Sequence, residues 1–343
     1  MAAPDIKRII HRLAAGEMLA EDEMHDALDL MTAGGASPVQ MGAVLMALRV
    51  RGETVAEITG AARLLRARMT RVEAPAGAVD IVGTGGDSHG TYNVSTAASL
   101  VAAGAGLKVA KHGNRSVSSL SGASDVLGAL GVKLDIGAER VAAAIREAGV
   151  GFMWAPMHHP TMKAWAPIRA ELGVRTIFNL LGPLCNPGGV KRQILGVFDR
   201  RWLEPLANVM RNLGSEHVWV VHGADGLDEL TTTGTTHVAA LRDGGITAFD
   251  VTPEDAGLKR ARLADLKGGD AAVNAAAIRD LLAGKAGPFR DIVLLNAAAA
   301  LVVGGKAERL ADGVTLAARA IDEGKAADAL RHLVAITNTE GSG

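Results

Sequence analysis

Five short segments of this 343-residue chain concentrate the side chains and glycines from which chemistry is built. The first is Gly83-Thr84-Gly85-Gly86-Asp87. Glycines there let backbone N–H groups approach an anion with no Cβ in the way. The segment lacks the Gly-Lys-Ser/Thr of a Walker loop, and its glycine spacing is not that of the dinucleotide fingerprint. It is either a phosphate cradle or a tight turn that binds nothing. The second is Asn93-Val94-Ser95-Thr96, ahead of an alanine-rich run. These residue types cap a helix start, and they equally bind a phosphate at the positive end of the helix. A glycine turn a few residues upstream adds weight to the phosphate reading.

The third segment is Lys111-His112-Gly113-Asn114-Arg115-Ser116-Val117-Ser118-Ser119. Two cations, an imidazole, an amide and three hydroxyls form the inventory that a sugar-bearing polyanion needs. His112 by itself is as well explained by a structural role as by a catalytic one. The fourth is Asp228-Glu229. Adjacent carboxylates are either solvated surface or ligands for Mg²⁺, which takes a few carboxylates together with water and substrate phosphate oxygens. The fifth runs from Pro160 to Pro187 and carries Arg169 among apolar neighbours at helical spacing. Arg169 is either an ordinary ion-pair partner or a fork for a substrate carboxylate. His158-His159 invites a zinc reading, but adjacent histidines in a strand-to-helix turn point apart.

The elements that must carry these segments follow from hydrophobic periodicity. Up to about residue 70 the pattern is helical only: Ile6, Ile9, Ile10 and Leu13 recur at helical spacing, as do Met24, Leu28 and Met31. Ser37-Pro38-x-Gln40 and Thr54-x-x-Glu57 are capping boxes that open two further helices. Pro75 and Gly77 then make a linker. Beyond it, β-rich runs at 79–82, 107–110, 151–154, 193–197 and 218–221 alternate with helical runs at 95–105, 138–148 and 201–213. That alternation predicts an α/β fold with a mostly parallel central sheet flanked by helices, preceded by a small all-helical N-terminal domain. Runs at 238–241 and 246–251 come without a helix between them and predict a hairpin turned by Asp243-Gly244-Gly245. The last third returns to helices, including an alanine-rich run at 291–303 expected to be buried on most sides.

Composition narrows the function classes. Hydrophobic residues make up 48% and charged residues 21%, which suits a folded chain; aromatics are only 3%, so the core rests on Ala, Val, Leu and Ile. The formal net charge is −1, whereas proteins that grip nucleic acid by its phosphates carry a basic excess. No nucleic acid partner is expected. Cys185 is the sole cysteine, so no internal disulfide can form. The first residues lack a continuous apolar stretch, and the longest apolar run, at 292–303, is interrupted by Asn296 and too short for a bilayer. The expectation is a soluble, cytoplasmic protein with no membrane partner.

Taken in order, GTGGD, NVST, KHGNRSVSS, IRAELGVRTIFNLLGPLCNP and DELTTTG resemble the anthranilate phosphoribosyltransferase family, with the likeness extending to about residue 305. The resemblance implies a small helical domain, 1–74 with about 163–188 returning to it, and a large α/β domain, 75–162 and 189–343. It implies a homodimer, and transfer of the phosphoribosyl group of phosphoribosyl diphosphate (PRPP) to the amine of anthranilate, in tryptophan biosynthesis. By the same resemblance PRPP would be held by Gly83, Gly86, Asp87, Thr91, Asn93, Val94, Ser95, Thr96, the nine residues Lys111 to Ser119, and Ala123. Anthranilate would meet Gly83, Asn114 and Arg169, and Mg²⁺ would meet Ser95, Asp228 and Glu229. His112 would shape the pocket, with no essential acid or base required. Three departures stand out: Leu120 and the order Ala123-Ser124 where the family has Lys and Ser-Ala, His158 before the final His-Pro, and no Glu within Val238-Ala239-Ala240-Leu241. Two alternatives stay open: a pyrimidine nucleoside phosphorylase, which shares fold and general chemistry, and a nucleic-acid-binding relative without transferase activity.

Overall fold

The computed structural model describes residues 5–86, 89–115 and 120–339. Four helices come first: α1 (Ile6–Ala14), α2 (Glu21–Thr32), α3 (Pro38–Arg51) and α4 (Val55–Arg68). Their starts follow the local chemistry expected of them. Ser37 Oγ accepts from Gln40 N while Gln40 Oε1 accepts from Ser37 N, with Pro38 at the first helical position. Thr54 and Glu57 make the same reciprocal pair, and the buried Glu57 also accepts from Leu19 N and from Arg51.

The rest of the chain is β1 (Val79–Gly83), α5 (Val94–Gly104), β2 (Val109–Gly113), α6 (Ala123–Ala129), α7 (Ala138–Glu147), β3 (Val150–Trp154), α8 (Ala155–His158), α9 (Ala166–Leu172), α10 (Phe178–Leu184), β4 (Arg192–Gly196), α11 (Leu203–Asn212), β5 (His217–Gly223), β6 (Thr236–Arg242), β7 (Gly245–Val251), α12 (Ala271–Leu282), α13 (Pro288–Val303), α14 (Leu310–Asp322) and α15 (Lys325–Asn338). The sheet order is β3-β2-β1-β4-β5-β6-β7. The first five of these strands are parallel; β6 and β7 are antiparallel additions at one edge. The hairpin between them turns on Asp243 (φ 50°) and Gly244 (φ 81°), while Gly245 already pairs with Arg242. The turn is therefore two residues long, one shorter than the sequence suggested.

Two large apolar cores sandwich the sheet, and a smaller third gathers Ala110 and Met153 with Val141 and Ile145 of α7. One joins β1, β2 and β3 to α5, α12, α13, α14 and α15, and the run around 291–303 is buried along nearly its whole length. The other is continuous from α1–α4 through α9, α10 and α11 to the opposite face of β4, β5 and β6. Packing of α9 on α3, and of α10 on α4, brings the segment bearing Arg169 back onto the N-terminal helices. Among the described residues no helix is long and apolar enough to cross a membrane.

One strand differs from its sequence reading in a way that bears on function. The β-rich run at 107–110 becomes β2, Val109–Gly113, so Lys111 and His112 lie within the sheet and not in the loop beyond it. Both are buried. The strand extends through them because each finds polar partners inside, as described next.

Candidate active site

The chain lays down β1, β2 and β3 outward in one direction, then crosses back to place β4 on the other flank of β1. Loops leaving such neighbours diverge, and a crevice opens at the carboxyl ends of the strands. Gly83 and Gly196 end β1 and β4 as register partners. A Cβ on Gly83 would lie 2.2 Å from Asp228 Oδ2, and one on Gly196 would lie 1.6 Å from the Asp228 carbonyl oxygen. Only glycine at both strand ends lets Asp228 sit on the sheet edge. Gly85 N donates to Asp228 Oδ2 at 2.6 Å, and Gly85 and Gly86 hold φ of 66° and 81°, the left-handed region that glycine alone enters readily. Thr84 N donates to the Gly196 carbonyl, and Thr84 Oγ1 accepts from Phe198 N, so the glycine turn is fastened to the end of β4. Asp87 lies outside the described residues.

The second carboxylate reaches the neighbouring helix. Ser95 N, near the start of α5, donates to Glu229 Oε1 at 3.2 Å. A carboxylate there meets free N–H groups and the positive end of the helix dipole. Asn93 occupies the N-cap of α5, yet its side chain makes no capping bond. Its Oδ1 accepts from Asn274 Nδ2 at 2.8 Å and its Nδ2 donates to the Ser121 carbonyl. Asn274 Nδ2 also donates to Ser121 Oγ at 2.9 Å. An amide from α12 thus ties the Asn93 turn to Ser121, just ahead of α6. Thr91 bridges to Lys267, Val94 is buried, and the Thr96 hydroxyl is buried with no partner among the described residues.

On β2, Lys111 and His112 point to opposite faces, as successive strand residues must. Lys111 Nζ donates to the Ile81 carbonyl at 2.6 Å and to Ser95 Oγ at 3.3 Å. Burial lowers its pKa, opposed by Asp80, Glu229 and Asp228. His112 Nε2 lies 3.1 Å from His159 Nε2. Burial, then His159 and His158, push His112 well below the usual histidine range, and the Gly182 carbonyl of α10 opposes them; burial likewise brings His159 to about 4. Both rings are neutral near pH 7, so one donates and the other accepts. His158 turns away from its neighbour, with Nδ1 3.0 Å from the Thr70 carbonyl. Beneath them Asp80, fully buried on β1, accepts from His112 N and from Asn186 Nδ2 at 2.7 Å, and burial raises its pKa to about 6. Asn186 Nδ2 also donates to the Ala110 carbonyl, so one amide joins the α10–β4 connection to both β1 and β2.

Gly113 faces Phe152 so closely that a Cβ would lie 2.8 Å from its ring. Asn114 is exposed, and its Oδ1 accepts from Arg115 N; the Arg115 guanidinium lies over the Trp154 ring and 3.7 Å from Asp125. Ser116, Val117, Ser118 and Ser119 lie outside the described residues. Leu120 is 79% exposed, Ala123 begins α6, and the Ser124 hydroxyl is fully buried without a partner among the described residues.

Arg169, on α9, is half-buried, and burial lowers its pKa. Its Cζ lies 5.4 Å from the centroid of the Phe178 ring, at the start of α10. Among the described residues no carboxylate pairs with it. Its neighbour Arg175 stacks on Phe198 at 4.4 Å and donates to the Gly86 carbonyl, closing the α9–α10 connection onto the glycine turn. Among the described residues no hydrogen bond joins Arg169 to Gly83 or Asn114; its ring contact is to Phe178 of α10, the helix whose Gly182 carbonyl faces His112.

The donor set around Asp228, Glu229 and Ser95 is all oxygen. Mg²⁺ takes oxygen ligands and is commonly held by one or two carboxylates plus substrate phosphates, so these residues fit it. Among the described residues no group of three or more His, Cys, Asp or Glu is placed to hold a metal by itself. A hard cation here would share its coordination with a phosphorylated ligand.

This architecture defines the class. Residues 75–327 match the α/β domain of the glycosyl transferase family, and residues 7–69 match the family's helical bundle domain. Within it, the chain belongs to the anthranilate phosphoribosyltransferases. It is 61% identical over 334 residues to the anthranilate phosphoribosyltransferase of Rhodopseudomonas palustris (strain BisB18), covering 97% of this chain and 98% of that protein. The crystal structure of the enzyme of that name from Thermus thermophilus is 45% identical, with a TM-score of 0.91 over 96% of this chain and 99% of that one. The Saccharomyces cerevisiae enzyme in complex with PRPP and Mg is 29% identical, with a TM-score of 0.89 over 98% of both chains. Of the three readings open from the sequence, likeness at this level over nearly the whole length selects the transferases.

Several residues that build the site escaped the sequence reading: Asp80, Gly196, Asn274 and Asn296, and the part played by Arg175 and Asn186. Asn274 and Asn296 carried a usable signal. Each is a lone amide in an alanine-rich or apolar helical run, and a buried amide must find partners.

Proposed function

We propose that this chain joins the amine of anthranilate to C1 of the ribose of PRPP, releasing diphosphate, in tryptophan biosynthesis. The observation that carries this reading is the seating of Asp228 on Gly85 N and Glu229 on Ser95 N. It sets an acidic pair against both anion-friendly turns.

In the reaction the C–O bond to diphosphate breaks and a C–N bond forms, with positive charge building on the ribose and negative charge on the leaving oxygens. The assigned PRPP contacts are Gly83, Gly86, Thr91, Asn93, Val94, Ser95, Thr96, Lys111, His112, Gly113, Asn114, Arg115 and Ala123, together with Asp87 and 116–119. Gly85 N and Ser95 N are engaged by Asp228 and Glu229; were those carboxylates to turn to a metal, the two N–H groups would be freed as donors for the developing charge. Ser95, Asp228 and Glu229 would hold Mg²⁺, which when bound supplies positive charge against the departing diphosphate. Arg169 grips the anthranilate carboxylate beside Gly83 and Asn114; the absence of a carboxylate partner for it among the described residues supports this role. Held there, the amine stands in line with C1, and orientation itself lowers the barrier. An aryl amine is neutral at pH 7 and sheds its proton once the C–N bond has formed. His112, neutral and tied to His159, therefore shapes the pocket and is not an essential base.

The reading includes a homodimer in the cytoplasm. Val39, Ala43, Met46 and Val50 form an apolar stripe on α3, and both valines are 81% exposed, which supports pairing through that helix. The direct test is fluorescence of anthranilate in the presence of PRPP and Mg²⁺. Consumption that requires all three components is expected. No consumption, with thymidine or uridine phosphorolysis in its place, overturns the reading.

A further inference from the structure

We infer that Asn296 is a positioning residue for the acidic pair, acting on it through the backbone of Leu230. The inference rests on the function proposed above. Asn296 lies on α13 between Leu295 and Ala297 and is fully buried, in a helix whose other inward residues are alanine, leucine, isoleucine and valine. A primary amide in such surroundings is unfavourable unless its donors and acceptor are used. Here they are. Asn296 Oδ1 accepts from Leu230 N at 3.0 Å, and Nδ2 donates to the Leu230 carbonyl at 2.8 Å. The second Nδ2 proton goes to the Ile292 carbonyl one turn back, at 2.9 Å, which locks the rotamer. The side chain thus grips both polar groups of one peptide residue, as a neighbouring strand would.

The residue gripped is the one that follows Glu229. Beyond Gly223 the chain leaves the sheet and does not rejoin it until Thr236, so no strand ladder fixes 228–230. Backbone bonds such as Ala224 N to the Thr235 carbonyl and Ala261 N to the Thr232 carbonyl hold the rest of the loop, and side chains add to them. Asp225 accepts from the Thr231 and Thr233 hydroxyls at 2.6 Å each, which shapes the loop internally. Asn296 ties the loop to a rigid helix 66 residues away. Asp228 and Glu229 must meet Gly85 N and Ser95 N, which belong to two different elements. A carboxylate pair aimed at two targets needs its own backbone fixed, and support of this kind around metal-binding groups is commonly felt in affinity.

The experiment compares the unaltered chain with Asn296→Leu, Asn296→Asp and Val293→Ala. Val293 is buried on the same helix and makes no hydrogen bond to Leu230, so its truncation loosens α13 and leaves the Asn296 bonds in place. Calorimetry with Mg²⁺ and PRPP, without anthranilate, reads binding with no turnover; urea unfolding reads stability. For Asn296→Leu, Mg²⁺-dependent PRPP affinity is expected to fall about tenfold or more. Val293→Ala at comparable loss of stability should bind PRPP as the unaltered chain does. Should the leucine variant fail to fold, the near-isosteric Asn296→Asp decides: at pH 8 its carboxylate cannot donate to the Leu230 carbonyl, and the same weakening is expected. Unchanged affinity in the folded Asn296 variants, or equal weakening in Val293→Ala, overturns the inference. Failure of the unaltered chain to bind PRPP with Mg²⁺ overturns the functional reading and this inference with it.

Discussion

Gly83 and Asp228 occupy one place on the sheet edge: the volume where a Cβ of residue 83 would stand is taken by the Asp228 carboxylate, 2.2 Å away. The smallest possible substitution therefore tests the site. Gly83→Ala is expected to push Asp228 off Gly85 N while the fold survives, at about 1–3 kcal/mol of overpacking. Turnover should fall sharply with near-native circular dichroism. Full activity in the alanine variant would show that Asp228 need not sit on the strand end.

Replacing both acids with amides, Asp228→Asn with Glu229→Gln, preserves shape and removes charge. Half-saturation by Mg²⁺ is expected to rise by about 10–100-fold, with turnover falling in parallel. A metal titration that superimposes on that of the parent would remove the pair from the metal site.

Arg169→Ala should act on one substrate only. A charge-assisted hydrogen bond is worth about 1.5–3 kcal/mol, so the KM for anthranilate should rise by about 10–100-fold while that for PRPP stays within about twofold. Arg169→Lys should recover part of the loss, since an ammonium lacks the two-pronged fork. Equal increases in both KM values would argue against a carboxylate clamp.

Acid should weaken the fold through the buried histidines. His159 is held at about 4 by burial against an ordinary value of 6.5, and His112 is lowered as well. Between those pH values the unfolded chain binds more protons than the folded one, so stability rises with pH across the window and is lost as pH falls through it. His159 contributes on the order of 2–3 kcal/mol. His112 and His158, which face it, act in the same direction. Asp80, raised to about 6 by burial, acts in the opposite one: its contribution is present at low pH and lost as pH rises toward 6. Urea midpoints at pH 7 and 4.5 should therefore converge in His159→Gln relative to the parent; an unaltered gap would place the acid sensitivity elsewhere.

The fold was legible wherever the governing interaction is local. The capping boxes at Ser37 and Thr54, the divergence of His158 and His159, and the alternation of strand and helix all follow from neighbours within a few residues. The meeting of the glycine turn, the Ser95 helix start and the acidic pair was expected only from the resemblance carried by the five segments in order, because each segment alone left two readings open. Reading failed where a partner is remote. Lys111 and His112 look like loop residues until the Ile81 carbonyl and His159 are known. Asn93 looks like a cap until Asn274, 181 residues on, claims it. The roles of Asp80, Gly196 and Arg175 likewise depend on distant partners, and no periodicity encodes them.

The bond from Asp80 to Asn186 spans 106 residues, and it constrains how the polypeptide is assembled. β1, β2 and β3 are synthesised first, yet in a nascent chain that has not reached residue 186 the Asp80 carboxylate has His112 N for one oxygen and no Asn186 amide for the other. Closing so long a loop is slow compared with local pairing. A chain truncated between β3 and β4 would lack both the Asn186 amide and the β4 neighbour of β1, and it is expected not to form a smaller folded domain.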